Sequence, residues 1–232
     1  DLTQTSIPDL LHGLDHHHFT CEDLVKAVPY NQILPTVYIS HPPQTYIQRI
    51  QELNPSVHAI SQLNPCALAL ARQRDEERKN GRVYGFLHGI PIVVKDVFLT
   101  TDKQLQPVRL PAPYTTNSLL TPPPDGSTAF LHAVPKCEAI TVTLLREQGA
   151  VIFAKTTGSQ WANYRDPAHI PKGWSAVGGQ CLAAYHADLE PSGSSSGSAV
   201  AVSLGLAAAG LGTEVCTSFL RHVCWQWQLS LI

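Results

Sequence analysis

The stretch Glu138-Ala139-Ile140-Thr141-Val142-Thr143-Leu144-Leu145-Arg146-Glu147-Gln148-Gly149-Ala150-Val151-Ile152-Phe153-Ala154 decides the fold class. Helix signals run from Glu138 to Gln148, Gly149 stops them, and the apolar run Ala150 to Ala154 reads as a strand. Helix, glycine, then buried strand is an α/β rhythm. Upstream, Ile90-Pro91-Ile92-Val93-Val94 is a β-branched apolar run between Gly89 and Lys95. It suits a strand buried on both faces, as the inner strands of parallel sheets are.

Working outward, Thr20 with Asp23 predicts an N-cap with an acidic N3 partner and a short helix through Leu24 and Val25. Tyr46 to Leu53 has helical spacing, and Val57 to Ile60 reads as a short extended run. Asn64-Pro65 predicts a cap and a first-turn proline for a helix that reaches about Asn80 and stops at Gly81. Its second half, Arg72, Arg74, Asp75, Glu76, Glu77, Arg78 and Lys79, reads as a solvated helix end. Small apolar residues from Ser198 to Ala209 predict a helix packed closely on a sheet. Two stretches break this order. Val28 to Gln44 carries Pro29, Pro35, Pro42 and Pro43, and Thr101 to Asp125 carries six prolines, so both read as irregular inserts.

Composition bounds the function classes. With 232 residues, 44% hydrophobic and 15% charged, the chain can bury a real core. A net charge of −2 gives no basic footprint, so nucleic acid is not expected as a primary partner. No apolar run approaches the roughly 20 residues of a membrane-spanning helix, and no signal pattern opens the chain, so a cytoplasmic protein is the expectation. Cys21, Cys66, Cys137, Cys181, Cys216 and Cys224 are scattered without ligand spacing and read as reduced cysteines. Asp15-His16-His17-His18 is read as an exposed run, because consecutive histidines rarely converge on one ion; no metal and no cofactor are expected. With no methionine and Asp1 at its start, the sequence is expected to be processed or a fragment.

The most unusual segment is Pro191-Ser192-Gly193-Ser194-Ser195-Ser196-Gly197-Ser198. A flexible linker has this composition, but a linker joins two folded units, and this run leads at once into an Ala/Val helix. A phosphate cradle is a second reading, but a P-loop ends in Gly-Lys-Ser/Thr and no lysine follows here. A third reading takes Gly193-Ser194-Ser195-Ser196-Gly197 as G-x-S-x-G, the nucleophile elbow of an α/β-hydrolase-type serine esterase with Ser195 as nucleophile. That fold requires a strand directly before the elbow, where His186 to Pro191 stand, and only Glu214 and His222 follow as triad partners.

Three motifs in order make a fourth reading specific. Gly89-Ile90-Pro91-Ile92-Val93-Val94-Lys95-Asp96 resembles the catalytic-lysine motif of the amidase signature family, the Ser-cisSer-Lys amidases. The serine-glycine run resembles that family's signature core, and Gly212-Thr213-Glu214-Val215-Cys216-Thr217-Ser218 resembles its nucleophile segment. The separation of Ser194 and Ser218 (218 − 194 = 24) is the family's spacing. Lys155 to Ala162 and Gly173 to Gln180 are weaker echoes, and Trp174 with Gly178-Gly179 is similar to fungal-type members. A likeness to the amidase-type component of glutamyl-tRNA amidotransferase belongs to the same resemblance.

The resemblance implies a mixed central sheet flanked by helices, and an amide or ester hydrolase acting on a small-molecule amide through an acyl-enzyme. Ser218 is then the nucleophile, Ser194 relays its proton, and Lys95 is the base, which must be neutral to accept it. Burial at a strand end favours a neutral lysine. The resemblance also implies a cis Gly193–Ser194 peptide, and backbone oxyanion donors at Val215, Cys216, Thr217 and Ser218. The chain departs from the family at Cys216 and Thr217, where glycine is common, at Thr157 and Gln160, and at Ser192, where glycine is usual. As an organisation, residues 1–218 are expected to be the N-terminal part of the amidase-signature domain, with inserts near 28–44 and 101–125. Residues 219–232 are an unmatched tail, and the product is expected to be incomplete or aberrant. A catalytically inactive amidase-like fragment or interaction protein is the alternative.

Overall fold

The two strands expected from the sequence become the centre of a sheet. In the computed structural model, which describes residues 5–26, 45–101, 126–130, 135–164, 169–186 and 188–213, the chain begins with helices α1 (Ile7–Asp15), α2 (Cys21–Val25) and α3 (Tyr46–Val57). Strand β1 (Ile60–Leu63), helix α4 (Ala67–Lys79) and strand β2 (Pro91–Lys95) follow. Helix α5 (Ile140–Glu147), strand β3 (Val151–Thr156) and the short hairpin β4 (Trp174–Ser175) and β5 (Gly179–Gln180) lead to helix α6 (Ser196–Ser203) and strand β6 (Ala209–Leu211). The proline-rich stretches read as inserts and the tail lie outside the described residues, Thr101 excepted.

The four-stranded sheet has the order β1-β3-β2-β6. β2 runs parallel to both β3 and β6, whereas β1 pairs antiparallel with β3, so the sheet is mixed and flanked by helices. Every residue of β2 and β3 is buried, which is why both read as continuous apolar runs rather than alternating ones. The core groups Ile92, Val93, Val94, Val151, Ile152 and Phe153 with Leu10, Leu14, Val25, Tyr46 and Ile50 from the N-terminal helices. Because β2, β3 and β6 are parallel, their C-terminal ends share one edge: Lys95 stands beside Thr156, and Val94 beside Leu211. That edge is where open α/β sheets build their sites.

The expected cap at Thr20 is present as a reciprocal box: Asp23 N–H donates to Thr20 Oγ1 at 3.0 Å, and Thr20 N–H donates to the Asp23 carboxylate at 3.1 Å. Several boundaries differ from the sequence reading. Helix α3 continues through Pro55 to Val57, and the strand begins only at Ile60. The reason is buried Asn54, whose amide donates to Ile60 O at 2.9 Å and whose Oδ1 accepts Ile60 N–H at 2.7 Å, pinning the strand start. Asn64 does not cap α4. Its N–H and amide donate to Phe153 O and Ile152 O, it turns the chain at Pro65-Cys66, and the helix starts at Ala67.

The run Ser198–Ala209 is not one helix. α6 starts within the serine-glycine run and ends at Ser203, Gly205 turns the chain at φ 64°, and β6 follows. The Arg49 guanidinium receives that end by donating to Leu204 O and Gly205 O. The charged half of α4 is also more than a solvated end. Asp75 accepts the N–H groups of Cys21 and Glu22 at 2.7 and 3.0 Å, capping α2. Arg78 binds Asp15 and His88 O. Helix α1 was not expected from the sequence; it opens on a Ser6–Asp9 capping box and buries Leu10 and Leu14.

Candidate active site

Lys95 closes β2 with its ammonium end inside the protein, 1% exposed. Its Nζ donates to Ser194 Oγ at 2.7 Å and to Thr213 Oγ1 at 2.8 Å. Ninety-nine positions separate Lys95 from Ser194 in sequence, and the sheet brings them together. Gly158 walls the lysine stem, since a Cβ there would lie 2.9 Å from Lys95 Cε and 2.8 Å from Asp96 Oδ1. Asp96 itself is buried and donates its N–H to Thr156 O, extending the β2–β3 pairing past the lysine.

Ser194 is held by its backbone. The Gly193–Ser194 peptide is cis, and Ser192 before it has φ 62°, the left-handed region that favours glycine. Ser194 O accepts Ser159 N–H at 2.9 Å, and Ser159 Oγ accepts Gly173 N–H at 2.8 Å. A Cβ on Gly193 would sit 2.6 Å from Ser159 Oγ, so the close passage of these two loops requires glycine. Ser196 Oγ donates to Ser192 O at 2.5 Å, closing the turn.

Helix α6 then locks the serine run onto the sheet. Gly197 N–H donates to Thr157 O at 2.8 Å, Thr157 N–H donates to Ala59 O at 2.9 Å, and Thr157 Oγ1 donates to His58 O at 2.7 Å. Ser198 Oγ lies 2.7 Å from Thr156 Oγ1 and donates to Leu211 O at 3.1 Å. Ser195 Oγ, the nucleophile of the esterase reading, accepts Thr213 N–H and donates to Thr213 O, each at 3.0 Å.

Of the residues picked from the sequence, Lys95 and Ser194 are brought together, and Ser195 faces the backbone of Thr213. Val215, Cys216, Thr217 and Ser218 lie outside the described residues, as do Glu214 and His222. Thr213, Ser159 and Thr157 were missed as contributors to this geometry; the nucleophile-segment match already contained Thr213, but nothing in its residue type marked it as a lysine partner. The His12, His16 and His18 rings gather at the exposed end of α1, with the His12–His16 centroids 4.0 Å apart. Among the described residues no group of three or more His, Cys, Asp or Glu side chains has metal-binding geometry, and no helix is long and apolar enough to cross a membrane.

Lys95 and Ser194, in contact through their side chains, both lie in the part of the chain that comparison with known proteins covers. The family model described as Amidase matches residues 44–106 and 124–220. This chain belongs to the amidase family. The "Putative amidase" of Arthroderma benhamiae is 42% identical over 226 residues, covering 94% of this chain and 34% of that protein. A second relative of the same description, from Schizosaccharomyces pombe, is 40% identical over 83% of this chain and 29% of its own. Among solved structures, the native peptide amidase of Stenotrophomonas maltophilia superposes with a TM-score of 0.66 at 35% identity, covering 88% of this chain and 35% of that one. The chain therefore spans about a third of the length of the amidases it matches.

Proposed function

We propose that this chain carries the base and the proton relay of an amide-hydrolysing Ser-Ser-Lys site, with Lys95 as base, Ser194 as relay and Ser218 as nucleophile. The observation that carries the reading is the 2.7 Å contact between Lys95 Nζ and Ser194 Oγ at the C-terminal edge of the parallel strands. An amide carbonyl is a poor electrophile and a serine hydroxyl a weak nucleophile, so the first step requires a base beside the hydroxyl. Ser218 Oγ attacks the carbonyl carbon, its proton passes to Ser194 Oγ, and the Ser194 proton passes to Lys95 Nζ. The C–N bond then breaks as Ser194 returns a proton to the departing nitrogen, drawing one from Lys95. Water attacks the acyl-serine by the reverse route, releasing the acid and restoring Ser218.

The backbone N–H groups of Val215, Cys216, Thr217 and Ser218 are assigned as oxyanion donors, since a tetrahedral intermediate requires fixed donors where its charge develops. Lys95 is buried and donates to the hydroxyls of Ser194 and Thr213, which places its nitrogen against the relay serine. The substrate class is a small-molecule amide, with peptides to be tested first because of the peptide amidase likeness. Ser195 is the weaker nucleophile candidate, because its hydroxyl is engaged on both sides by the backbone of Thr213.

A fluorophosphonate probe tests the assignment. Labelling of the folded chain, abolished by Ser218→Ala and by Lys95→Met but only slowed by Ser195→Ala, is expected. Loss of labelling in Ser195→Ala with retention in Ser218→Ala would transfer the role to Ser195. No labelling of well-folded protein would leave the inactive amidase-like reading.

A further inference from the structure

We propose that Thr213 is a positioning residue for Lys95, and that Ser195 holds Thr213 in place; this deepens the hydrolase reading and rests on it. A lysine side chain has a flexible four-carbon stem and three donor directions. One acceptor fixes the distance to a neighbour but leaves the amine free to swing around that contact. Lys95 donates to both Ser194 Oγ at 2.7 Å and Thr213 Oγ1 at 2.8 Å, inside a site where the lysine is 1% exposed. The second acceptor fixes the direction in which the nitrogen faces the relay serine.

Thr213 can do this because its own hydroxyl has little freedom. Its N–H donates to Ser195 Oγ and its carbonyl accepts from the same hydroxyl, so one side chain clamps both backbone groups of the residue. Threonine is β-branched and stiff at χ1, so a fixed backbone leaves few positions for Oγ1. Ser195 follows Ser194 directly, and it is the residue that opens α6. These two acceptors are thus tied to each other through one residue: Ser194 by covalent adjacency, Thr213 by the clamp. The register agrees, since β6 pairs Leu211 with Val94, and two further residues bring Thr213 level with the lysine head.

The inference predicts different outcomes for substitutions of similar size. Thr213→Val keeps the shape and removes the acceptor, whereas Thr213→Ser keeps the acceptor and removes a methyl group. Losing the acceptor that fixes the direction of Nζ toward the relay serine should lower kcat, or the fluorophosphonate labelling rate, about 10- to 100-fold in Thr213→Val. KM should stay unchanged. Thr213→Ser should retain most of the rate, and Ser195→Ala should fall between them.

A second readout requires no turnover. In protein labelled with 13C at lysine Cε, the Lys95 resonance, assigned by its loss in Lys95→Met, reports protonation of Nζ directly. An ammonium donates a stronger bond than an amine, so removing the acceptor should move the Lys95 midpoint to lower pH in Thr213→Val and not in Thr213→Ser. A wild-type rate and midpoint in Thr213→Val would overturn the proposal, and so would a Thr213→Ser variant no better than Thr213→Val. Failure of the hydrolase reading looks different: Ser218→Ala and Lys95→Met would leave labelling untouched while the Lys95 titration still answered for Thr213.

Discussion

Gly197→Ala puts the architecture of the site under the most direct strain. A Cβ at position 197 would lie 2.2 Å from Ala59 O, 2.6 Å from Thr157 N and 2.7 Å from Thr157 O, against an ordinary contact of 3.4 Å or more. All three obstacles are backbone, so no side chain can rotate away. Helix α6 must retreat from the β1–β3 edge by roughly 1 Å, which breaks the 2.8 Å bond from Gly197 N–H to Thr157 O. Overpacking of about 1–3 kcal/mol together with a lost buried hydrogen bond of about 1 kcal/mol puts the cost near 3 kcal/mol. The same retreat carries Ser194, three residues earlier, away from Lys95, and a misplacement of about 1 Å in a site can cost about 100-fold in rate. Urea denaturation and the fluorophosphonate labelling rate measure the two effects. Gly81→Ala is the comparison for space: nothing lies within 4 Å of its Cβ position, and, unlike Gly197 in α6, it has a positive φ (71°). It should cost only the left-handed conformation, about 1 kcal/mol, and leave labelling unchanged. If Gly197→Ala were no more destabilising than Gly81→Ala, the close approach of α6 to the sheet would not hold.

Three further outcomes follow from the structure. Burial holds the imidazole of His88 below its usual 6.5; it is fully buried, with Tyr84 N–H donating to Nδ1 and Nε2 against Arg74 O. Unfolded His88 therefore binds its proton more readily, so this contribution to stability is complete above about pH 6.5 and is lost as the pH falls toward the folded-state value. The urea midpoint should decline from pH 7.5 to 5.5, and His88→Gln should flatten the decline; equal slopes would reject the assignment. Burial pushes the Cys181 thiol up to about 12, while Cys137 is exposed. Iodoacetamide at pH 8 should thus modify Cys137 in the folded protein and reach Cys181 only after denaturation, as peptide mass spectrometry would show. Ser192→Gly should raise stability by up to about 1 kcal/mol, because the serine occupies φ 62°; a clear loss of stability would mean that its side chain repays the conformation.

The fold class was legible because β2 and β3 are buried on both faces and therefore carry continuous apolar runs that glycine brackets, at Gly89 and Gly149. The boundaries that differed were set by contacts far along the chain. Asn64 has the residue type of a helix cap, yet its Oδ1 accepts only the Cys66 N–H of the turn before α4, while its amide donates to Ile152 O in a strand 88 positions away. Ser198 to Ala209 has the composition of one helix, yet Arg49, more than 150 positions earlier, receives the chain at Leu204 and Gly205, where it turns into β6. Asp75 reads as one charge in a solvated run until α2 places two backbone N–H groups on its carboxylate. Local propensity cannot report partners of this kind.

The site divides in the same way. Lys95 and Ser194 could be picked from the sequence only jointly, by motif order and spacing, because a lysine at a strand end or a serine in a turn is ordinary taken alone. The geometry adds why these two belong together. β2 ends at Lys95, β3 runs on through Thr156 to Gly158, and β6 delivers Thr213, so three parallel strands release their chains at one edge of the sheet. The serine run is then laid across that edge by hydrogen bonds from Ser159, Gly197 and Ser198, whose residue types gave no hint of the task. Substitutions at these supporting positions should therefore impair the site through the distance between Nζ and Oγ rather than through chemistry of their own. Ser198→Ala is the mildest case. It removes the contacts to Thr156 and Leu211 without adding an atom, and it should slow labelling less than Gly197→Ala does, in proportion to how far α6 moves.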